Sequence, residues 1–167
     1  MQMSVRQPSR LRSYRLVQAV QLTGLLAAMV YGSAALAANA GLASMSVPWY
    51  DETLEVAIWY PTNATEKTVQ AGPFSHEAAA GAKVVPGQHP LVLVSHGTGG
   101  MNLNHNKLTT ALARAGFVVA SLTHLGDNYK DRSLVTSPRY FTERPAQVSA
   151  VLDALLIDTQ WKQSIDP

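Results

Sequence analysis

The chain has 167 residues, with 13 Lys plus Arg against 11 Asp plus Glu, and no cysteine. The missing thiols exclude thiolate catalysis, cysteine-ligated zinc and structural disulfides. Arg6, Arg10, Arg12 and Arg15 fall in the first forty positions, so the remainder carries nine basic against 11 acidic groups, a net charge of −2 that offers no nucleic-acid surface.

Those four arginines precede an apolar run from about Leu22 to Leu36 and the small residues "ALAANA". This is the layout of a secretory signal peptide, and it predicts residues 1–40 as a leader with export to the periplasm or outside the cell. Two A-x-A sites are present, Ala35-Leu36-Ala37 and Ala38-Asn39-Ala40, and cleavage after Ala40 is expected because strand-like sequence starts soon afterwards. The alternative, an uncleaved anchor, needs about 20 apolar residues. Gln18, Gln21 and Thr23 dilute the start of the run, so no stable span is expected after cleavage.

Next come two strand candidates, "LASMSV" and "TLEVAIWY", joined by the turn-like "PWYDE". Leu54, Val56, Ile58 and Tyr60 alternate onto one face, the pattern of an antiparallel hairpin with one covered side, and Pro61 is expected to end the second strand. Residues 61–90 are rich in Ala, Gly, Thr and Pro without periodicity. They read as a surface insertion or lid within a domain running over 41–167.

"LVLVSHGTGG", residues 91–100, is an apolar run that stops at a histidine and three glycines. The run reads as a strand buried on both faces. Leu108, Ala111, Leu112 and Ala115 then follow helical spacing, closed by Gly116. "FVVASL" is a second apolar strand, and strand, helix, strand predicts a right-handed crossover in a parallel sheet. An irregular polar stretch runs from Thr123 to Glu143. Pro145 then opens a last helix with Val148, Val151, Leu152 and Leu155 on its buried face.

Three uses compete for the glycine turn, all of them drawing on exposed backbone N–H groups. A dinucleotide-phosphate turn needs G-x-G-x-x-G, and Asn102 stands where the third glycine belongs. A P-loop needs Gly before its lysine, which Lys107 lacks. The third use is half of an oxyanion hole, whose N–H groups meet the charge that develops on a carbonyl oxygen during acyl transfer. Glycines admit positive φ and let a ligand approach the backbone. A tight turn with no further role is the plain alternative.

"VAIWYPT", "SHGTGG", "HLGDNYKDRS" and "RPAQVSAVLDALL", in this order, resemble bacterial predicted dienelactone-hydrolase-type α/β-hydrolases, relatives of the platelet-activating-factor acetylhydrolases. The resemblance implies an α/β fold, an antiparallel hairpin followed by parallel strands with crossover helices. It implies the sheet order 1-2-4-3-5-6, with "LVLVS" between "FVVASL" and a fifth strand. By the same resemblance the backbone N–H of Thr98 serves the oxyanion hole within a loop that includes Gly97 and Gly99, His96 braces that loop, and His124 and Asp127 line the substrate mouth. The family more often has proline where this chain has Leu125. The substrate implied is a small carboxylic ester or lactone.

Such a hydrolase needs a serine on a G-x-S-x-G elbow, then an acid and a histidine. These 167 residues contain no G-x-S-x-G outside or inside the leader, and Ser95 sits on the strand itself, without the strained turn that exposes a nucleophile. The expectation is the amino-terminal part of a hydrolase domain, an incomplete sheet without the triad, inactive and aggregation-prone alone. The rivals are a non-catalytic binding or accessory protein and a nucleotide-binding enzyme. His76, His89, His96, His105 and His124 lack metal-ligand spacing, so neither metal nor cofactor is expected. Asp127 and Asp131, in a polar loop, read as solvated or turn-capping carboxylates.

Overall fold

The computed structural model describes residues 39–71 and 73–166, so the predicted leader, except for its last two residues, lies outside the described residues. A seven-stranded mixed sheet runs in the order β3-β4-β1-β2-β6-β5-β7. Its strands are β1 (Asn39–Trp49), β2 (Glu52–Thr62), β3 (Lys67–Ala71), β4 (Phe74–Ala80), β5 (His89–Ser95), β6 (Val118–Leu122) and β7 (Ile165–Asp166). Helix α1 (Asn106–Arg114) connects β5 to β6, and α2 (Tyr140–Ile157) follows β6. The run β1-β2-β6-β5 reproduces the order implied by the resemblance. The two residues of β7 lie parallel to His89 and Pro90, where a fifth strand of that order begins.

The hairpin β1–β2 is paired from Asn39↔Thr62 to Trp49↔Glu52. Cleavage after Ala40 would therefore remove two residues of a strand. Ala40 is buried, and its N–H donates to the Glu66 carboxylate. The site at Ala35-Leu36-Ala37 leaves β1 whole. Pro61 does not end β2. Its carbonyl accepts the Val85 N–H, so its nitrogen, on the same side, faces away from β1 and no ladder bond is lost. Gly41 opposes Tyr60, whose ring lies where a Cβ would be, 2.1 Å from it, and the Tyr60 hydroxyl donates to Ala82 O.

The expectation of one covered side is corrected, because β2 is covered on both. Leu54, Val56, Ile58 and Tyr60 pack with Val151, Leu155 and Trp161 under α2. Ala57 and Trp59 pack with Val119, Leu103 and Ala113 under α1. This gives helix, sheet and helix layers. The stretch 61–90 is also more ordered than a loop, since β3 and β4 form an antiparallel hairpin and β4 adds to β1 in parallel at Gly41↔Ala79 and Leu42↔Ala80.

Helix α1 turns a different face inward from the one expected. Thr109, Thr110 and Ala113 are buried while Leu108 is 53% exposed. Small side chains let the helix approach the sheet, and Thr109 Oγ1 is satisfied by the His105 and Asn106 carbonyls. The helix ends in a Schellman motif, with Gly116 at φ 97 donating to Ala113 O and Phe117 to Leu112 O. Helix α2 begins at Tyr140, before Pro145, although that proline donates no N–H to the preceding turn. Contacts made by Tyr140 and Arg144, described below, hold those first turns. Gln147, Val151 and Leu155 form its buried line.

Strand β5 is only half-buried, against the expectation of burial on both faces. Leu91 and Leu93 touch the α2-side core, and Val92 and Val94 the α1-side core. β6 pairs with Leu91–Ser95 on one edge. Among the described residues, nothing pairs with the other edge of that stretch beyond His89 and Pro90.

Candidate functional site

The parallel strands β5 and β6 end side by side, and ligands of open α/β sheets bind beyond such carboxyl ends. Ser95 is the last residue of β5, and the turn Ser95–Gly100 leaves from it. His124 follows two residues after β6. Tyr140, Arg144 and Gln147, at i, i+4 and i+7 on α2, come down onto both strand ends.

His96 is buried and ties the turn to the end of β6. Its Nε2 accepts the His124 N–H at 3.0 Å, which leaves Nδ1 protonated and donating to Gly97 O at 2.7 Å. The two imidazoles meet edge to face, with centroids 5.0 Å apart. His124 is wholly buried, and its Nδ1–H donates to Gln147 Oε1 at 2.9 Å. The same oxygen accepts the Leu125 N–H. That tautomer makes His124 Nε2 an acceptor, and the Ser95 hydroxyl donates to it at 2.8 Å. Burial pushes the His124 imidazole down to about 4, with the Gln147 hydrogen bond acting in the opposite direction. Burial lowers His96 as well. Both rings are neutral at physiological pH.

Asp127 is wholly buried. Its Oδ1 accepts the Gly99 N–H at 2.8 Å and its Oδ2 pairs with Arg144. Burial alone would raise its carboxyl, but the Gly99 N–H and the guanidinium outweigh it and hold it below the usual carboxylate range. Arg144 also donates to Ser95 Oγ at 2.9 Å and to the His96 carbonyl. One helix residue thus binds three points of the turn and its support.

The four residues Gly97 to Gly100 divide sharply. Gly99 has φ +71 and its N–H is taken by Asp127. Gly100 donates to Gly97 O, and a Cβ there would stand 2.9 Å from His96 Nδ1. Gly97 and Thr98 are exposed; a Cβ on Gly97 would meet nothing within 4 Å. Among the described residues no group accepts the Thr98 N–H, while its hydroxyl lies 3.1 Å from the Tyr140 hydroxyl. Beside them opens a groove of about 280 Å³ lined by Ser95, Tyr140, Phe141, Arg144, Pro145 and Val148. A larger cavity of about 470 Å³, between Trp49 and Glu143, includes neither Ser95 nor Thr98.

The sequence residues named for the site are thus brought together, with corrected parts. His124 and Asp127 do not line a mouth, because both side chains are wholly buried and stand behind the turn. Asp127 is neither solvated nor a simple turn cap, whereas Asp131 does cap a turn at the Ser133 N–H. Gly99 has no N–H to offer a substrate. Arg144 and Gln147 are not among the sequence candidates, and Ser95, set aside there as a strand residue without a strained turn, is in fact exposed. The signal for Arg144 and Gln147 was available: Tyr140, Arg144 and Gln147 continue the Gln147–Val151–Leu155 line into the amino-terminal turns with polar residues, and a polar group on an apolar helix stripe requires a buried partner. Among the described residues no cluster of His, Asp and Glu fits a metal ion, and no helix is long and apolar enough to cross a membrane.

The structure of a ferulic acid esterase from Streptomyces cinnamoneus aligns with this chain at a TM-score of 0.58 and 19% identity, over 82% of this chain and 52% of that one. That likeness speaks for the fold, and this chain spans about half the length of that esterase. Residues 51–163 match the family described as platelet-activating factor acetylhydrolase, isoform II, a stretch that takes in the hairpin strand β2, the glycine turn, both helices and every side chain of the network above. With the α/β-hydrolase sheet order already in place, the chain belongs to the platelet-activating factor acetylhydrolase isoform II family of esterase-type hydrolases.

Proposed function

We propose that this chain supplies the oxyanion-loop half of a serine hydrolase that cleaves small carboxylic esters or lactones, of dienelactone-hydrolase type. The Thr98 N–H is the donor that meets the developing alkoxide. The observation that carries this reading is the asymmetry of the turn, in which the N–H groups of Gly99 and Gly100 are consumed internally while exposed Thr98, beside bare Gly97, has an N–H that no group accepts among the described residues. One such donor is worth roughly 3 to 4 kcal/mol to an acyl-transfer transition state. Arg144, Asp127, His96 and His124 would contribute by holding the turn before substrate arrives, so that no reorganisation is required as charge develops.

In this reading the nucleophilic serine, acid and histidine come from a second segment bearing G-x-S-x-G, a motif absent from these 167 residues. That segment would pair with the open edge of β5 and cover Phe141, which is 80% exposed. The chain alone would not sustain turnover. We also propose export, with cleavage after Ala37, since that site spares the Asn39–Trp49 strand. Amino-terminal sequencing of exported protein should then begin at Ala38.

The test joins this chain in frame to the coding sequence downstream of Pro167 and assays nitrophenyl esters and a dienelactone. Steady turnover is expected, with kcat falling about 10²- to 10³-fold in Thr98→Pro, which deletes the N–H. A downstream sequence without G-x-S-x-G in any frame, or turnover indifferent to Thr98→Pro, would overturn the proposal.

A further inference from the structure

Ser95 is exposed and lines the groove together with Tyr140, Phe141, Arg144, Pro145 and Val148. Its hydroxyl proton is directed at a neutral imidazole nitrogen 2.8 Å away. That imidazole is fixed in one tautomer by Gln147, and the Ser95 oxygen is 2.9 Å from a guanidinium nitrogen. This is the arrangement that activates a nucleophile: a hydroxyl, a base within hydrogen-bond reach, and a third group orienting the base. A cation beside the oxygen favours its anionic form.

We infer that Ser95 is itself a nucleophile, apart from the serine proposed for turnover, acylated once by an activated aryl ester bound in the apolar groove. The bond from Ser95 Oγ to the acyl carbon forms and the acyl C–O bond to the leaving group breaks. The electron pair departs with the aryloxide, and the Ser95 proton passes to His124 Nε2 and on to solvent. Release differs from attack. Hydrolysis of the acyl-serine needs a water whose proton the same His124 Nε2 takes up and returns to the serine oxygen, and that nitrogen lies on a wholly buried ring with Ser95 Oγ against it. The acyl group therefore stays on, and labelling is stoichiometric.

The full chain is mixed with p-nitrophenyl acetate near neutral pH, with the same chain unfolded in concentrated urea as reference. The folded chain should release one equivalent of nitrophenolate in a burst and then stop. The acetyl group should appear on the tryptic peptide from Val84 to Lys107, where Ser95 and Thr98 are the only hydroxyl residues, and fragmentation should place it on Ser95. Ser95→Ala should abolish the burst, and Gln147→Leu, which frees the imidazole, should slow it at least about tenfold. Labelling on lysines, a burst that survives Ser95→Ala, or a folded chain that labels no faster than the unfolded one would refute the inference. Each readout is separate from turnover through Thr98, so the loss of one reading leaves the other standing.

Discussion

The inner and outer halves of the turn after β5 are built from the same residue type to opposite ends. Gly99 and Gly100 are glycines for the protein's benefit. One is held at positive φ with its N–H on a buried carboxylate, and the other makes room for the His96 ring. Gly97 serves no such need, and with Thr98 it faces open space. The difference teaches where to look for function in a glycine-rich turn: at the glycine whose missing Cβ nothing in the fold requires.

If the inner half is structural, its removal should cost stability, and the largest loss should come from Asp127→Ala. The change leaves Arg144 poorly exposed and unpaired and frees the Gly99 N–H. Breaking one partner of a buried pair costs about 3 to 5 kcal/mol. Urea denaturation would read this as a drop in midpoint at unchanged slope. A loss below about 1 kcal/mol would mean that the turn keeps its shape without the carboxylate.

Acid should produce the next largest effect. An unfolded chain protonates histidine near about 6.5, whereas folded His124 takes its proton only at about 4. Between these values the unfolded state binds more protons, so stability falls as pH drops through that window and this contribution changes no further below it. The loss is on the order of 3 kcal/mol. His96, also lowered by burial, adds in the same direction. The depressed Asp127 carboxyl works through the opposite ionisation. Its contribution is present above the ordinary carboxylate pKa and is lost as pH falls through its lower folded value, so it extends the decline into stronger acid. Urea midpoints recorded from neutral to acid pH should show both stages, and His124→Asn should flatten the first.

The contrast sharpens with Gly100→Ala. The added Cβ would stand 2.9 Å from His96 Nδ1 and 3.0 Å from Gly97 O. Neither atom is the free end of a flexible chain, because the ring is fixed by bonds at both nitrogens. Overpacking of this kind costs roughly 1 to 3 kcal/mol. The His124 N–H, which loses alignment with His96 Nε2, should then exchange faster with solvent.

Much of this architecture is legible in the amino-acid sequence, because it rests on local pattern. Leu54, Val56, Ile58 and Tyr60 at alternate positions and the apolar runs of β5 and β6 mark strands by spacing and composition, although β2 is covered on both faces. The elements read less well were decided by contacts between distant residues. Leu108 met the helical spacing yet faces outward, since Thr109, Thr110 and Ala113 allow a closer approach to the sheet than leucine does. Tyr140 opens α2 ahead of Pro145 because Thr98 and Arg144 hold the first turns, a tertiary reason invisible in the helix's own sequence. Asp127 sits among turn formers, and only its pairing with Arg144, 17 positions later, turns a loop carboxylate into a buried support.

The smallest expected stability effect is the most informative about the outer half. Gly97 has no positive φ, and its Cβ would meet no atom within 4 Å. Gly97→Ala should therefore fold as well as the parent, or gain up to about 1 kcal/mol by restricting the unfolded chain. A side chain there would nevertheless occupy the open space at the turn, one residue before the Thr98 N–H proposed to meet the carbonyl oxygen. In the joined enzyme the variant should lose ester turnover while its urea midpoint holds or rises, a split that a purely structural glycine cannot produce. A parallel fall in midpoint and activity would place Gly97 with Gly99 and Gly100, and the two halves of the turn would then differ in exposure alone.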